Sequence, residues 1–240
     1  MSILNSWFSA LWLLLYPPSC AVCGEPLAEG EESLCTLCRV TAPLTGFWRT
    51  YDNPVFEKVA AFVPIERASA MLYFVRGSGW QRLIHSFKYH HRWRLAYTMG
   101  RWYGALLRDG GLYDDVNVVV PLPLHPWKRI LRGYNQSEYL AEGIAASLGV
   151  PVVRGVLRRH RHTSSQARTP RRERAANVAG AFSVGDEAAL AGRHVLLVDD
   201  VLTTGSTLTA AVEAMQAAVP DCRVSLAVLA VSRRELGIDR

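Results

Sequence analysis

The stretch "VLLVDDVLTTGST", Val195 to Thr207, decides how the rest of the chain is read. Val195 to Val198 form an apolar run without polar interruption, the pattern of a strand buried on both faces. Asp199 and Asp200 come where the chain leaves that core. Thr203, Thr204, Gly205, Ser206 and Thr207 then lead into a segment whose Leu208, Val212 and Met215 share one helical side. A helix start carries unpaired N–H groups and a partial positive charge, so it holds a phosphate well. Gly205 permits close backbone approach, and the hydroxyls around it add donors. Two carboxylates beside a bound phosphate would repel it unless they had separate work. Accepting hydrogen bonds from vicinal ribose hydroxyls is such work, and so is helping to hold a magnesium shell. The bland alternative is a strand followed by a hydroxyl-rich helix cap.

The same alternation recurs on either side. "VNVVVPLPL" (116–124) is a short apolar run, "QSEYLAEGIAASLG" (136–149) places Leu140, Ile144 and Leu148 four apart, and "VPVV" (150–153) is another short strand. "HVLLVDD", the helix at 207–219 and "RVSLAVLAV" (223–231) repeat strand, helix, strand. Apolar β-branched runs separated by helices predict an α/β fold, a parallel sheet with helices on both faces. In such sheets ligands sit at the carboxyl ends of the strands. Nearer the N-terminus, "VFEKVAAFVPIE" (55–66) reads as short β-like runs punctuated by Pro64. Leu95, Met99, Trp102 and Leu106 mark an amphipathic helix ended by Gly110 and Gly111. His85, His90 and His91 fit no zinc spacing and read as a solvated basic face.

The 240 residues are half hydrophobic, one-fifth charged and carry a net charge of +6. That balance suits a globular domain with an anionic partner, a phosphorylated metabolite or a nucleic acid, and excludes a disordered or fibrous chain. Ile3 to Tyr16 is apolar and aromatic, but no Lys or Arg precedes it and no small-residue cleavage site follows. It is also shorter than the ~20 residues of a membrane span. It reads as a short helix stopped by Pro17, packed on the rest of the protein or offering Trp7, Phe8, Leu11, Trp12 and Leu15 to a partner. No membrane span and a cytoplasmic location are expected.

Cys20 and Cys23 form one C-x-x-C knuckle and Cys35 and Cys38 a second, with eleven residues between them. Each knuckle bends so that both sulfurs face one point, and two complete a tetrahedral thiolate shell for a structural zinc ion. Disulfides are the weaker account without a secretion signal. Protein would fill all four positions, so the metal would have no open catalytic site. Cys222 reads as a half-buried free thiol.

The Val195–Thr207 stretch resembles the phosphoribosyl pyrophosphate-binding motif of type I phosphoribosyltransferases. Over nearly the whole chain, the cysteine knuckles together with "FKYHHRWRLA", "VPLPLHPWKRILRGYNQSEYLA" and "HTSSQARTPRRERAANVAGAF" resemble the ComF family, linked to competence and DNA uptake in bacteria. The resemblance implies an N-terminal helix and a four-cysteine zinc finger over 1–50 and a phosphoribosyltransferase-like domain over 51–240. It gives Asp199 and Asp200 to the ribose 2′- and 3′-hydroxyls, and Thr203, Thr204, Gly205, Ser206 and Thr207 to the 5′-phosphate. Lys128, Arg129 and Arg132 fall in a segment that grips pyrophosphate in this family, although an ordinary surface loop would look alike. The Arg-rich stretch near 162–177 resembles a mobile lid, with Thr163, Gln166, Arg174 and Asn177 as contacts; a basic linker is its plain alternative. Implied is a transferase taking Mg²⁺ with phosphoribosyl pyrophosphate, its acceptor unknown. Thr203 stands where 6-oxopurine salvage enzymes carry a third acid, which argues against hypoxanthine or guanine. The other expectations are a non-catalytic protein that handles single-stranded DNA and keeps the phosphoribosyl site as a sensor, and a module docking on other uptake proteins.

Overall fold

In the computed structural model, which describes residues 17–87, 92–160 and 180–238, Val195 to Val198 are fully buried. They lie in a strand, β5, that runs from His194 to Leu202, so the pairing continues through the two acids rather than ending before them. The other strands of its sheet are β1 (Ala68–Tyr73), β2 (Val118–Pro121) and β6 (Arg223–Val231), in the order β1-β6-β5-β2 and all parallel. "VPVV" contributes only one bridge, Val152 beside Val119, also parallel.

Alternate residues of each strand feed two separate apolar clusters, as a two-faced sheet requires. Leu196 and Val198 join one face, and Val195 and Leu197 the other. The first face is covered by α3 (Gly79–Ser86), α4 (Trp93–Gly110) and α6 (Gln136–Leu148). The second is covered by α2 (Pro54–Ala60) and α7 (Ser206–Ala218). Smaller elements are α1 (Thr36–Val40), α5 (Pro126–Arg132), α8 (Arg233–Leu236) and an antiparallel pair, β3 (Leu157–Arg159) with β4 (Phe182–Val184).

The β-like reading of 55–66 is corrected: Pro54–Ala60 is a helix. Asn53 accepts hydrogen bonds from the N–H groups of Val55 and Phe56, and Pro54 takes the first helical position, where its missing N–H costs nothing. Val55 and Val59, one turn apart, are the buried pair that presses α2 onto the sheet. The helix through Leu95 and Met99 forms as expected and ends at Gly111, whose φ of 71° supplies the left-handed cap. Its buried line is Leu95, Met99, Tyr103 and Leu107, so Trp102 and Leu106 flank the core instead of filling it.

The N-terminal knuckles pack into the same apolar cluster as α3 and α4: Cys20, Val22, Leu34 and Cys38 join Trp80, Leu83 and Met99 there. The expected helix at 3–16 lies outside the described residues, as do His90 and His91. No helix among the described residues is long and apolar enough to cross a membrane.

The chain leaves β2 through α6 toward Val152 on one side, then returns to β5 on the other. That reversal opens a crevice between the carboxyl ends of β2 and β5, the place where open parallel sheets bind ligands. The crevice depends on α6 lying close against α4. A Cβ added to Gly100 would stand 2.2 Å from the carbonyl oxygen of Leu140, and one added to Gly143 2.2 Å from that of Tyr97. Helix propensity alone would make Gly143→Ala stabilising by ~1 kcal/mol. Backbone cannot rotate out of such a clash, so overpacking wins and a net loss of roughly 1–3 kcal/mol is expected in urea unfolding.

Candidate functional site

β2 stops at Pro121, opposite Val198, while β5 runs on to Leu202 beside β6. Asp199 and Asp200 therefore stand where β5 has lost its neighbour on the β2 side, and the first turn of α6 fills the gap. Asn135 fixes that turn. Its side chain accepts from the Ser137 N–H (3.1 Å) and donates to the Leu122 carbonyl (3.0 Å), tying the helix start to the end of β2.

The next two residues meet the acids. Gln136 Nε2 donates to Asp200 Oδ2 at 2.9 Å, and Ser137 Oγ donates to Asp199 Oδ1 at 3.1 Å. The same Asp199 oxygen accepts the Asp200 N–H at 2.8 Å. Gln136, Ser137 and Asp200 are buried, and Asp199 keeps part of its surface open. Burial, then repulsion from Asp200, pushes the Asp199 carboxyl up to about 8. Burial holds Arg159 of β3 below the usual guanidinium range, against the pull of the Asp199 charge.

The loop after β5 leaves Thr203 and Thr204 exposed. Gly205, at φ 85°, turns the chain into α7 as its N-cap without a side-chain cap; Thr204 Oγ1 and Ser206 Oγ are 3.0 Å apart. The first N–H groups of a helix have no intrahelical partner, and the Gly205 N-cap has no side chain to take them. A groove of about 840 Å³ between α2, α7 and α8 reaches Thr204 and Ser206 from outside but is not lined by the acids.

Lys128, Arg129 and Arg132 stand on the helix α5 rather than on an open loop. His125 caps it, accepting the Trp127 N–H through Nδ1 at 3.3 Å, and Gly133 at φ 76° ends it. Arg132 Nη1 donates to Gln136 Oε1 at 3.3 Å, so this cation is joined to Asp200 through one amide. Arg129 pairs with Glu138 at 3.5 Å. None of the seven residues of α5 is buried; Trp127, Ile130 and Leu131 are 58%, 74% and 69% exposed.

β3 and β4 flank the Arg-rich stretch, and the His160 N–H donates to the Ala181 carbonyl at 2.8 Å. Thr163, Gln166, Arg174 and Asn177 lie outside the described residues. Gln136 and Ser137 escape a reading of 136–149 as an amphipathic helix alone, and Arg159 falls beyond that segment, in β3. The available signal is "NQS" (135–137), three polar residues at the start of a helix whose buried side continues with Leu140, Ala141 and Ile144.

Away from the crevice, Cys20, Cys23, Cys35 and Cys38 bring their sulfurs within 4.8 Å of one another and could hold a metal ion. The backbone is arranged for thiolates. Cys20 Sγ accepts the Cys35 N–H and Cys35 Sγ accepts the Cys38 N–H, each at 3.4 Å. Burial opposes ionisation of Cys20, but the N–H groups of Cys23, Cys35 and Val22 outweigh it and bring the thiol down to about 6. Burial and the three neighbouring sulfurs push Cys38 far up. A divalent cation removes that conflict, so the donor set fits a thiolate-bound metal.

A family model described as "Phosphoribosyl transferase domain" matches residues 135–238. Competence protein F of Haemophilus influenzae is 32% identical over 130 residues, spanning 52% of this chain and 57% of that protein, less than two-thirds of its length. DNA utilization protein YhgH of Escherichia coli K12 is 29% identical over 210 residues, spanning 82% of this chain and 89% of its own. Among solved structures, glutamine phosphoribosylpyrophosphate amidotransferase from B. subtilis superposes with a TM-score of 0.41 at 19% identity, over 60% of this chain and 30% of that one.

Asp199 binds its proton in the folded state up to about pH 8, against ~3.9 in an unfolded chain. The folded state therefore holds more protons between those values, and stability falls as pH rises through them. Asp199→Asn keeps an oxygen for Ser137 and removes the ionisation. Relative to the parent it is expected to gain roughly 1–3 kcal/mol, several degrees in Tm, at pH 8.5. Near pH 4 the two should melt alike. Thermal scans of both proteins across this range check the difference.

Proposed function

We propose, from the chain's membership of the ComF family of phosphoribosyltransferase-like proteins, that the crevice binds phosphoribosyl pyrophosphate together with Mg²⁺. One observation carries the reading: an acid pair at the strand-order reversal, Asp200 buried and Asp199 partly open, followed shortly by a helix start with no side-chain cap. Asp199 and Asp200 accept hydrogen bonds from the ribose 2′- and 3′-hydroxyls. Thr203, Thr204, Gly205, Ser206, Thr207 and the N–H groups of α7 wrap the 5′-phosphate. Lys128, Arg129 and Arg132 neutralise the pyrophosphate. Magnesium, bound to pyrophosphate oxygens, supplies further charge neutralisation on the leaving group.

The reaction is transfer of the phosphoribosyl group to a nitrogen nucleophile. The C1–O bond to pyrophosphate breaks as positive charge builds on the ribose ring, and the nitrogen closes on C1. The chain offers electrostatics and position, with no covalent side-chain nucleophile. Cys20, Cys23, Cys35 and Cys38 would hold zinc, which would order the N-terminal unit, read as residues 1–50, beside a catalytic unit read as 51–240. Thiols sorted for metal rather than for disulfides favour a cytoplasmic location. The names of the two relatives, competence and DNA utilization, support a role in the use of incoming DNA.

A second reading is favoured by α5. Its exposed Trp127 beside Lys128 and Arg129 offers a stacking platform and cations, the two elements of non-specific single-stranded DNA binding. Such binding would weaken steeply with salt and would survive loss of the acid pair.

Calorimetric titration of Mg–phosphoribosyl pyrophosphate into zinc-loaded protein tests the first reading. Micromolar affinity is expected, falling at least about 10-fold in Asp199→Asn/Asp200→Asn, since one hydrogen bond to a charged group is worth about 1.5–3 kcal/mol. No heat of binding in folded protein would sink it.

A further inference from the structure

Gln136 sits between a cation and an acid, and both of its polar atoms are engaged. Nε2 donates to Asp200 Oδ2 at 2.9 Å, and Oε1 accepts from Arg132 Nη1 at 3.3 Å. A carboxylate can only accept and a guanidinium can only donate, so these two neighbours fix the amide in one orientation. The side chain is 2% exposed, which denies it water as a substitute for either partner. Asn135 anchors the turn from the other side through Leu122. The amide is therefore a rigid link across the crevice, its two ends on different elements, α5 and β5.

We propose that Gln136 is a positioning residue that couples the two halves of the substrate, so that engagement of pyrophosphate by Arg132 raises the affinity of the acid pair for the ribose. This rests on the reading of the crevice as a phosphoribosyl pyrophosphate site. In the ligand-free arrangement, Arg132 polarises the Gln136 amide, and hydrogen bonds in such a chain strengthen one another. One Asp200 oxygen is thereby committed to Nε2 and is a poorer acceptor for a hydroxyl. Pyrophosphate draws the Arg132 guanidinium onto its own oxygens, because a multiply charged anion is a stronger acceptor than a neutral amide. Gln136 is released from one side, its hold on Asp200 weakens, and the carboxylate turns to the sugar. Ser137 plays no part in this link. Its hydroxyl donates to Asp199 rather than to Asp200. Coupling of this kind is reciprocal, so ribose binding favours pyrophosphate by the same factor.

The halves can be supplied separately as ribose 5-phosphate and Mg–pyrophosphate. The readout is the ratio of ribose 5-phosphate Kd without and with saturating Mg–pyrophosphate. In the unsubstituted protein a ratio of about 5 or more is expected, the lower end of measured couplings. In Gln136→Met, which keeps length and loses both polar atoms, the ratio should fall to one, while in Ser137→Ala it should persist. An unchanged ratio in Gln136→Met overturns the proposal, and so does a ratio of one in the unsubstituted protein. Failure of the unsubstituted protein to bind either half would instead overturn the underlying site reading and the coupling with it. Should Gln136→Met fail to fold, the side-chain amide signals of Gln136 in ¹⁵N-labelled unsubstituted protein decide the matter. They should shift on adding Mg–pyrophosphate alone, and signals that stay in place defeat the idea.

Discussion

Carboxylates on consecutive residues repel each other most where water is excluded, and Asp199 and Asp200 occupy such a place. β5 carries them past the end of β2, into a gap that the sheet no longer fills. What surrounds them follows from that constraint. α6 must begin at the gap with donors rather than apolar groups, so Gln136 and Ser137 head a helix whose later buried residues are Leu140, Ala141, Gly143, Ile144 and Ala145. α6 must also lie close to α4 to bring that turn into position, and glycine at 100 and 143 makes the approach possible. Burial without full compensation leaves Asp199 holding its proton into the neutral range. A hydroxyl or a cation entering the crevice would supply what the protein withholds.

Such an arrangement costs the fold stability. A strand that ended at Val198 would bury less charge and leave α6 free to start with an apolar turn. Preorganised sites hold polar groups away from their best partners so that a ligand can take them. The extension of β5 beyond β2, from Asp199 to Leu202, is where this chain carries that strain on its stability.

Much of the architecture is legible in the sequence. Unbroken apolar runs at 195–198 and 223–231 announce strands buried on both faces, and both strands form, with the acid pair toward the carboxyl end of β5. Paired knuckles announce a metal cluster, and the four sulfurs do converge. Other features escape because they depend on contacts between distant segments. Val55 and Val59 look like strand residues, and only the Asn53 cap and the face they bury reveal a helix. Gln136 and Asp200 are 64 positions apart, so no local pattern links them. The cations of "WKRILR" resemble a loop in sequence, since a seven-residue helix with no buried side leaves no periodic signature to detect.

The knuckles share one continuous apolar cluster with α3 and α4, and Gly79 is pressed so near Val22 that an added Cβ would meet its carbonyl oxygen at 2.1 Å. An ion taken up by the four sulfurs would thus stabilise more than its own loop. A ligand that binds only folded protein adds stability by mass action, about 2.7 kcal/mol at one hundred times its dissociation constant. Through that shared cluster, the number of intact molecules in a cell would follow the supply of free metal. Abundance would be set at the sulfurs, with nothing altered in the crevice.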